Sequence, residues 1–261
     1  LTTDEHCEPS VDESDGELAH RLATEAGRLL VELQAELNDA GVPSWQVMDR
    51  GDVVSHRFLT DALRTHRPND AVLSEEGADD PRRLTADRVW IVDPLDGTNE
   101  FGERGRADWA VHVALWERGE LTSGAVALPA MGFTLSTRHP PAPRSPLRRT
   151  PRLVTSRTRN PYSAVLIARA LEADAIRLGS AGAKAMAVAL GDADIYVHDG
   201  GMYQWDSAAP VAVAAAAGLH TSRIDGSPLA YNARDPWLPD LLICRPEYAE
   251  ASLAALRHWA R

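Results

Sequence analysis

Apolar residues recur at helical spacing from Leu18 onward, through Leu22, Ala26, Leu29, Leu30 and Leu33, the single stripe of a 3.6-residue period. Ser14 and Glu17 just ahead of the stripe form an S-x-x-E capping box, and Gly41-Val42-Pro43 closes it, so a helix is predicted over 14–38. A second helix is predicted over 54–66, ending before Arg67-Pro68-Asn69-Asp70. Two short apolar runs follow, Ala71–Leu73 and Val89–Val92, each halted by acidic residues. Trp109–Trp116, Thr122–Leu128 and Phe133–Ser136 then read as strands joined by turn signals such as Arg118-Gly119. Helices followed by a run of strands make an α+β half.

Residues 138–151 are crowded with proline and arginine and read as an extended, solvated loop. Beyond it the pattern alternates: strand 152–155, helix 161–172, strand 175–178, helix 180–190, strand 195–198, helix 205–217, strand 241–245 and helix 248–259. That is an α/β half. The expected fold class is therefore α/β in the mixed sense, α+β then α/β. The expected organisation is an N-terminal half over residues 1–137, the loop 138–151 and a C-terminal half over residues 152–261.

Composition narrows the function. The net charge is −11, from 27 basic and 38 acidic residues, which argues against a nucleic-acid partner. A phosphate-bearing substrate would need a cation between it and such a surface. No apolar run reaches the roughly 18 residues of a membrane span, and the acidic start has no basic n-region. Cys7 and Cys244 lie near opposite ends without metal spacing and read as free thiols. A cytoplasmic protein acting on a small molecule is expected. The chain has one lysine, Lys184, among 27 basic residues; it is either a chance survivor or a place where arginine's planar fork will not serve.

The candidate chemistry lies in acids at strand ends. Val89–Val92 delivers Asp93 to the end of a strand, and Pro94 forces Asp93 out of the helical region. Asp93 and Asp96, with the carbonyl of Leu95 between them, suit a hard oxygen-loving cation, while Gly97 and Thr98 offer N–H groups and a hydroxyl to a phosphate. An Asp-Gly turn is the plainer alternative. Ser74-Glu75-Glu76 also ends an apolar strand; if the two strands are neighbours their ends converge. Asp206, in Gly200-Gly-Met-Tyr-Gln-Trp-Asp206, precedes an alanine-rich helix and fits either this cluster or an N-cap, with Pro210 in the first turn.

Together the Glu-Glu pair, Asp-Pro-Leu-Asp-Gly-Thr and Trp-Asp resemble the inositol monophosphatase superfamily of Mg²⁺-dependent, lithium-sensitive phosphatases, over roughly residues 15–258. Val72–Glu76, Leu95, Glu100-Phe101, Asp108–Val111 and Gly179–Lys184 resemble its CysQ-like 3′-phosphoadenosine 5′-phosphate (PAP) phosphatases. The resemblance implies a layered αβαβα sandwich. It implies hydrolysis of the 3′-phosphate of PAP by metal-activated water, with inositol phosphates and fructose 1,6-bisphosphate as alternative substrates. It implies one Mg²⁺ on Glu75, Asp93 and the carbonyl of Leu95, and a second on Asp93, Asp96 and Asp206. A third, weaker ion would lie near Glu75. Asp52 would partner Thr98 in activating water, and Glu76 would act through water. Substrate would meet Glu75, Leu95, Asp96, Gly97, Thr98, Ser180, Lys184 and Asp206. Lys184 would face the second phosphate, helped by the N–H groups of Ser180 to Ala183. A homodimer is left open. The usual basic residue after Asp-Gly-Thr is Asn99 here.

A haloacid-dehalogenase-type phosphatase also uses Asp-x-Asp-Gly-Thr and a lysine. Here two residues separate Asp93 and Asp96, which is the wrong spacing for nucleophile and acid. A binding protein with a regulatory Ca²⁺ or Mg²⁺ site is the non-enzyme alternative; no EF-hand spacing occurs, which counts against it. His112 and His198, inside strands with no partner at ligand spacing, read as structural. Trp90, Trp109 and Trp116 read as core or sheet-face residues.

Overall fold

The computed structural model describes residues 13–142 and 149–257; Cys7 and a stretch of the proline- and arginine-rich loop lie outside them. Helices α1 (Asp15–Asp39) and α2 (Ser44–His66) precede a five-stranded sheet of β1 (Ala71–Ser74), β2 (Arg88–Asp96), β3 (Ala110–Glu117), β4 (Glu120–Leu128) and β5 (Phe133–Ser136), in that spatial order. A one-turn helix, α3 (Thr98–Gly102), follows β2. The second sheet has the order β7 (Asp174–Leu178), β6 (Arg152–Ser156), β8 (Ile195–Tyr203), β10 (Trp237–Cys244), β9 (His220–Ser222). Helices α4 (Tyr162–Leu171), α5 (Ala181–Ala189), α6 (Gln204–Ala216) and α7 (Pro246–Leu256) complete the described chain.

Three apolar clusters define the layers. Leu18, Leu22 and Leu30 of α1 and Leu59 and Leu63 of α2 pack under the first sheet against Trp90, Val113 and Leu115. Met186 and Val188 of α5 and Val211 and Val213 of α6 fill the space between the sheets. Ile167 of α4 and Leu256 of α7 cover the outside of the second sheet with Leu153 and Val197. The sequence of layers is helix, sheet, helix, sheet, helix, as expected from the resemblance. The first sheet is built from residues before the 138–151 segment and the second from residues after it, while α5 and α6 face both. Among the described residues no helix is long and apolar enough to cross a membrane. Cys244 is a buried free thiol whose pKa burial pushes up to about 12, so it is unreactive.

Most element expectations hold within a residue or two, including the Ser14–Glu17 capping box. The exception that matters is α2, which begins at Ser44 and not at 54. Its buried positions in these first turns, Val47, Gly51 and Ser55, are mostly small, so the added turns show no apolar stripe. Gly51 is what lets α2 approach the strand-end loop: a Cβ there would lie 2.6 Å from Phe101 Cε1 and 2.9 Å from Leu95 Cδ2. At an open helix position Gly→Ala gains about 1 kcal/mol. Here the overlap reverses the sign, and Gly51→Ala is expected to cost about 1–3 kcal/mol, as overpacking does. Thermal melts of the two proteins check this, since a raised Tm would mean that the contact yields.

Candidate active site

β1 runs parallel to β2 with Ser74 opposite Val92, so the two acidic strand ends do converge: Glu75 follows the one and Asp93 the other. The ladder from β2 to β3 pairs Asp93 with His112, then shifts and resumes with Asp96 opposite Ala110. The shift is a bulge at Pro94-Leu95, where proline has no N–H to give the ladder. Leu95 N–H instead donates to Asp93 Oδ1 at 3.0 Å, and Ser55 of α2 ties down the Pro94 carbonyl at 2.6 Å. The Leu95 side chain is buried among Trp90, Phe101 and Trp109, which fixes the backbone carrying its carbonyl. Gly97 turns the chain at φ +89°, and a Cβ there would strike Ser180 Cβ at 2.8 Å, so glycine is required on both counts.

Asp93, Asp96 and Asp206 offer carboxylate oxygens within 4.8 Å of one another. Asp206 is not the N-cap of α6. Tyr203 is, and Asp206 in the first turn accepts its N–H at 2.6 Å. Pro210 lies in the helix interior, not its first turn. Burial pushes Asp93 far above the ordinary carboxylate range, with the charges of Glu75, Asp96 and Asp206 adding to it. Glu75 keeps an exposed side chain, yet partial desolvation at the cleft and the Asp206 charge push it up to about 7; burial and the Asp96 charge push Asp206 up to about 6. Asp93 Oδ2 is buried with no hydrogen-bond partner among the described residues. Mutually repelling acids with an orphaned oxygen fit a bound cation, which would replace the missing partner and lower all three values.

Asp96 is the exception. Burial raises it, but His112, Lys184 and the Gly182 N–H outweigh burial and hold it below the ordinary range. Its Oδ1 accepts from Ala181 N at 3.1 Å and its Oδ2 from Gly182 N at 2.5 Å, while Ala183 N goes to Ser180 Oγ at 3.0 Å. The start of α5, expected to receive substrate phosphate through the N–H groups of Ser180 to Ala183, is instead occupied by a side chain from the other sheet. Ser180 N donates to the Asp108 carbonyl and Gly179 N to its carboxylate. Lys184 follows from this arrangement. It is 4% exposed, and its ammonium donates to the carbonyls of Gly179 and, at 2.7 Å, Ser180. Burial lowers its pKa to about 8 against the pull of Asp96 and Glu100.

Asp52 and Thr98 are brought together. Thr98 Oγ1 lies 3.3 Å from Asp52 Oδ1 and 3.1 Å from the Leu95 carbonyl, so its one proton serves either acceptor. Burial, then the charge of Glu76, pushes Asp52 up to about 7. Glu76 itself is exposed and acts here through its charge.

Beside the cluster lies a cavity of about 370 Å³ whose lining includes Glu75, Asp96, Gly97, Ser180, Lys184 and Asp206. The profile of the inositol monophosphatase family matches residues 17–259. The chain belongs to the inositol monophosphatase family. It is 47% identical over 257 residues to 3′-phosphoadenosine 5′-phosphate phosphatase of Mycobacterium leprae (strain TN), covering 94% of each chain. It is 35% identical over 201 residues to 3′(2′),5′-bisphosphate nucleotidase CysQ of Escherichia coli (strain K12), covering 72% of this chain and 80% of that one. Among solved structures, Mycobacterium tuberculosis SuhB aligns with a TM-score of 0.69 at 27% identity, over 94% of this chain and 96% of that one. Inositol monophosphatase II of Staphylococcus aureus MSSA476 gives 0.75 at 21% identity, over 92% and 94%, a likeness of fold.

Within this site, sequence reasoning passed over His112. It was expected to be structural, yet its Nε2 lies 3.1 Å from Asp96 Oδ2 and its Nδ1 3.9 Å from Asp93 Oδ2. Only the β2–β3 register reveals this. Gly182 makes room for the ring, since a Cβ there would lie 2.2 Å from His112 Nε2. His198 also lines the cleft, its Nε2 donating to the Gly201 carbonyl at 2.8 Å.

Proposed function

We propose that the chain hydrolyses the 3′-phosphate of adenosine 3′,5′-bisphosphate to AMP and inorganic phosphate, with Mg²⁺ held by Glu75, Asp93, the Leu95 carbonyl, Asp96 and Asp206. The observation that carries this reading is the convergence of those acids at the floor of a cleft, in a chain nearly half identical, along almost its whole length, to relatives named for that substrate. Bound there, Mg²⁺ supplies charge to the phosphate oxygens and lowers the pKa of water. The remaining work falls to the chain. Asp52 takes a proton from a water through Thr98, so that the water oxygen can form the new bond to phosphorus; the bond from phosphorus to the 3′ oxygen breaks, and that oxygen takes its proton from solvent water. The helix start at Gly182 and His112 hold Asp96 ionised and in place. The deciding experiment compares kcat/KM with Mg²⁺ on PAP, inositol 1-phosphate and fructose 1,6-bisphosphate. A preference for either of the latter two overturns the reading.

The same electrostatics predict a pH-dependent stability. Asp52, Glu75 and Asp206 have folded pKa values of about 7, 7 and 6 against ordinary values of 3.8, 4.5 and 3.8. These three acids therefore bind more protons in the folded metal-free protein than in the unfolded chain between about pH 4 and 7, and their contribution to stability falls as pH rises through that window. Mg²⁺ removes the repulsion. At a hundred times its Kd it is expected to add about 2.7 kcal/mol, or roughly 5–10 °C in Tm for a chain of this size. At one fixed Mg²⁺ concentration the gain is larger at pH 7.5 than at pH 5.5. Calorimetric melts at both pH values check it; an equal or reversed gain would argue against carboxylate ligands.

A further inference from the structure

We propose that the outer wall of the cleft is a recognition surface for the leaving nucleotide, in which Arg159 meets its second phosphate and an aromatic corner of Tyr203 and Trp237 receives its base. This rests on the reading of the chain as a PAP hydrolase and assigns the portion of that substrate the metals do not reach.

Two cationic side chains line the cleft, Lys184 and Arg159. The ammonium of Lys184 is turned onto two carbonyls at the start of its own helix, so it is poorly placed to give itself to a ligand. Arg159 sits in the exposed loop after β6, its backbone N–H held by Ser156 Oγ at 3.2 Å. Its guanidinium has no ion-pair partner among the described residues, in a protein where most surface arginines are paired. A planar, permanently charged fork is well suited to bidentate contact with a phosphate. It also supplies the cation that Asn99 does not.

The aromatic corner is built from both sides. Tyr203 stacks on Trp205 with centroids 4.6 Å apart and meets Trp237 edge-on at 5.4 Å. The Trp237 ring lies against Gly201, where a Cβ would come within 1.6 Å of it. Each ring thus has protein behind it, yet Tyr203 and Trp237 remain 43% and 45% exposed and line the cleft. The corner begins one hydrogen bond from the metal cluster, because the backbone N–H of Tyr203 donates to Asp206. A phosphate ester held on the cluster would share one cavity with this rigid aromatic surface. A flat heterocycle gains from stacking there, whereas a cyclitol presents no π-face.

The test uses the full chain with saturating Mg²⁺ and three variants, Arg159→Ala, Trp237→Ala and Trp237→Phe. PAP and 3′-AMP differ only in the 5′-phosphate, and inorganic phosphate as a competitive inhibitor reports the metal site alone. Arg159→Ala is expected to raise KM for PAP about ten- to a hundredfold, the range for a charge-assisted contact, with 3′-AMP held within about threefold. Trp237→Ala is expected to raise KM for both nucleotides about five- to a hundredfold and to leave the inhibition constant of phosphate unchanged; Trp237→Phe restores most of the loss. Equal effects of Arg159→Ala on PAP and 3′-AMP, or no effect, overturn the assignment of Arg159. A Trp237→Ala variant that weakens phosphate as much as nucleotide overturns the aromatic corner. Either failure in a chain that still prefers PAP leaves the proposed reaction standing, whereas a wild-type protein that prefers inositol 1-phosphate removes the reaction itself.

Discussion

Asp93→Asn is expected to lose at least about a thousandfold in kcat, the several kcal/mol of transition-state charge stabilisation that bound metals supply, while the metal-free protein stays as stable as before. The two halves of this expectation have separate causes. Asp93 is fully enclosed and faces Glu75, Asp96 and Asp206, so in the absence of a cation its carboxyl is pushed well above the ordinary range, toward the neutral form. Asparagine matches a neutral carboxyl in shape, and its Oδ1 can keep the Leu95 N–H bond. Nothing in the packing is lost. What asparagine lacks is the charge that a cation needs from a residue shared between two proposed metal positions. The Mg²⁺-dependent rise in Tm should therefore shrink along with turnover, and melts with and without Mg²⁺ beside kcat on PAP measure both. A variant that keeps wild-type turnover, or that unfolds several degrees early without metal, would place Asp93 in the structure and not in the chemistry.

The acids were legible in the sequence because each ends an apolar strand, and the parallel pairing of β1 with β2 is all that is needed to bring Glu75 beside Asp93. The layered fold was legible for a related reason: long helices first, then strands, then alternation. What the sequence could not display are contacts whose partners are remote in the chain. Asp96 occupies the start of α5 across 85 residues, so the helix terminus read as an anion site is already filled. His112 enters the site through a strand register that skips the bulge at Pro94. The first turns of α2 were hidden by small buried residues, chosen for close approach to the loop at Leu95, and with them went the reason Asp52 stands where it does. Lys184 was singled out correctly as unusual. Its compact ammonium fits between the Gly179 and Ser180 carbonyls and under Asp96, a space a guanidinium would overfill.

Asp52→Asn is expected to lower kcat about 10²–10⁴-fold, the range for general-base catalysis, and to do so without weakening Mg²⁺. Asp52 stands on α2, outside the cluster of Asp93, Asp96 and Asp206, and reaches the site through Thr98. Asparagine can still accept the Thr98 hydroxyl but cannot take up a proton, so the contact survives and the base is lost. The Mg²⁺-dependent Tm rise therefore stays intact, which separates this variant from Asp93→Asn. Thr98→Ala should cost a similar factor, and the double variant little more than either alone, since the two act as one relay. The pH dependence gives an independent reading. Burial and the Glu76 charge raise Asp52, and a base works only when deprotonated, so activity should fall as pH drops through its pKa. Glu76→Gln removes a negative neighbour, lowers the pKa of Asp52 and should move the acid limb of kcat/KM toward lower pH. A limb that moves the other way, or an Asp52→Asn variant within about threefold of wild type, would take Asp52 out of the proton path and leave the start of α2 with a packing role only.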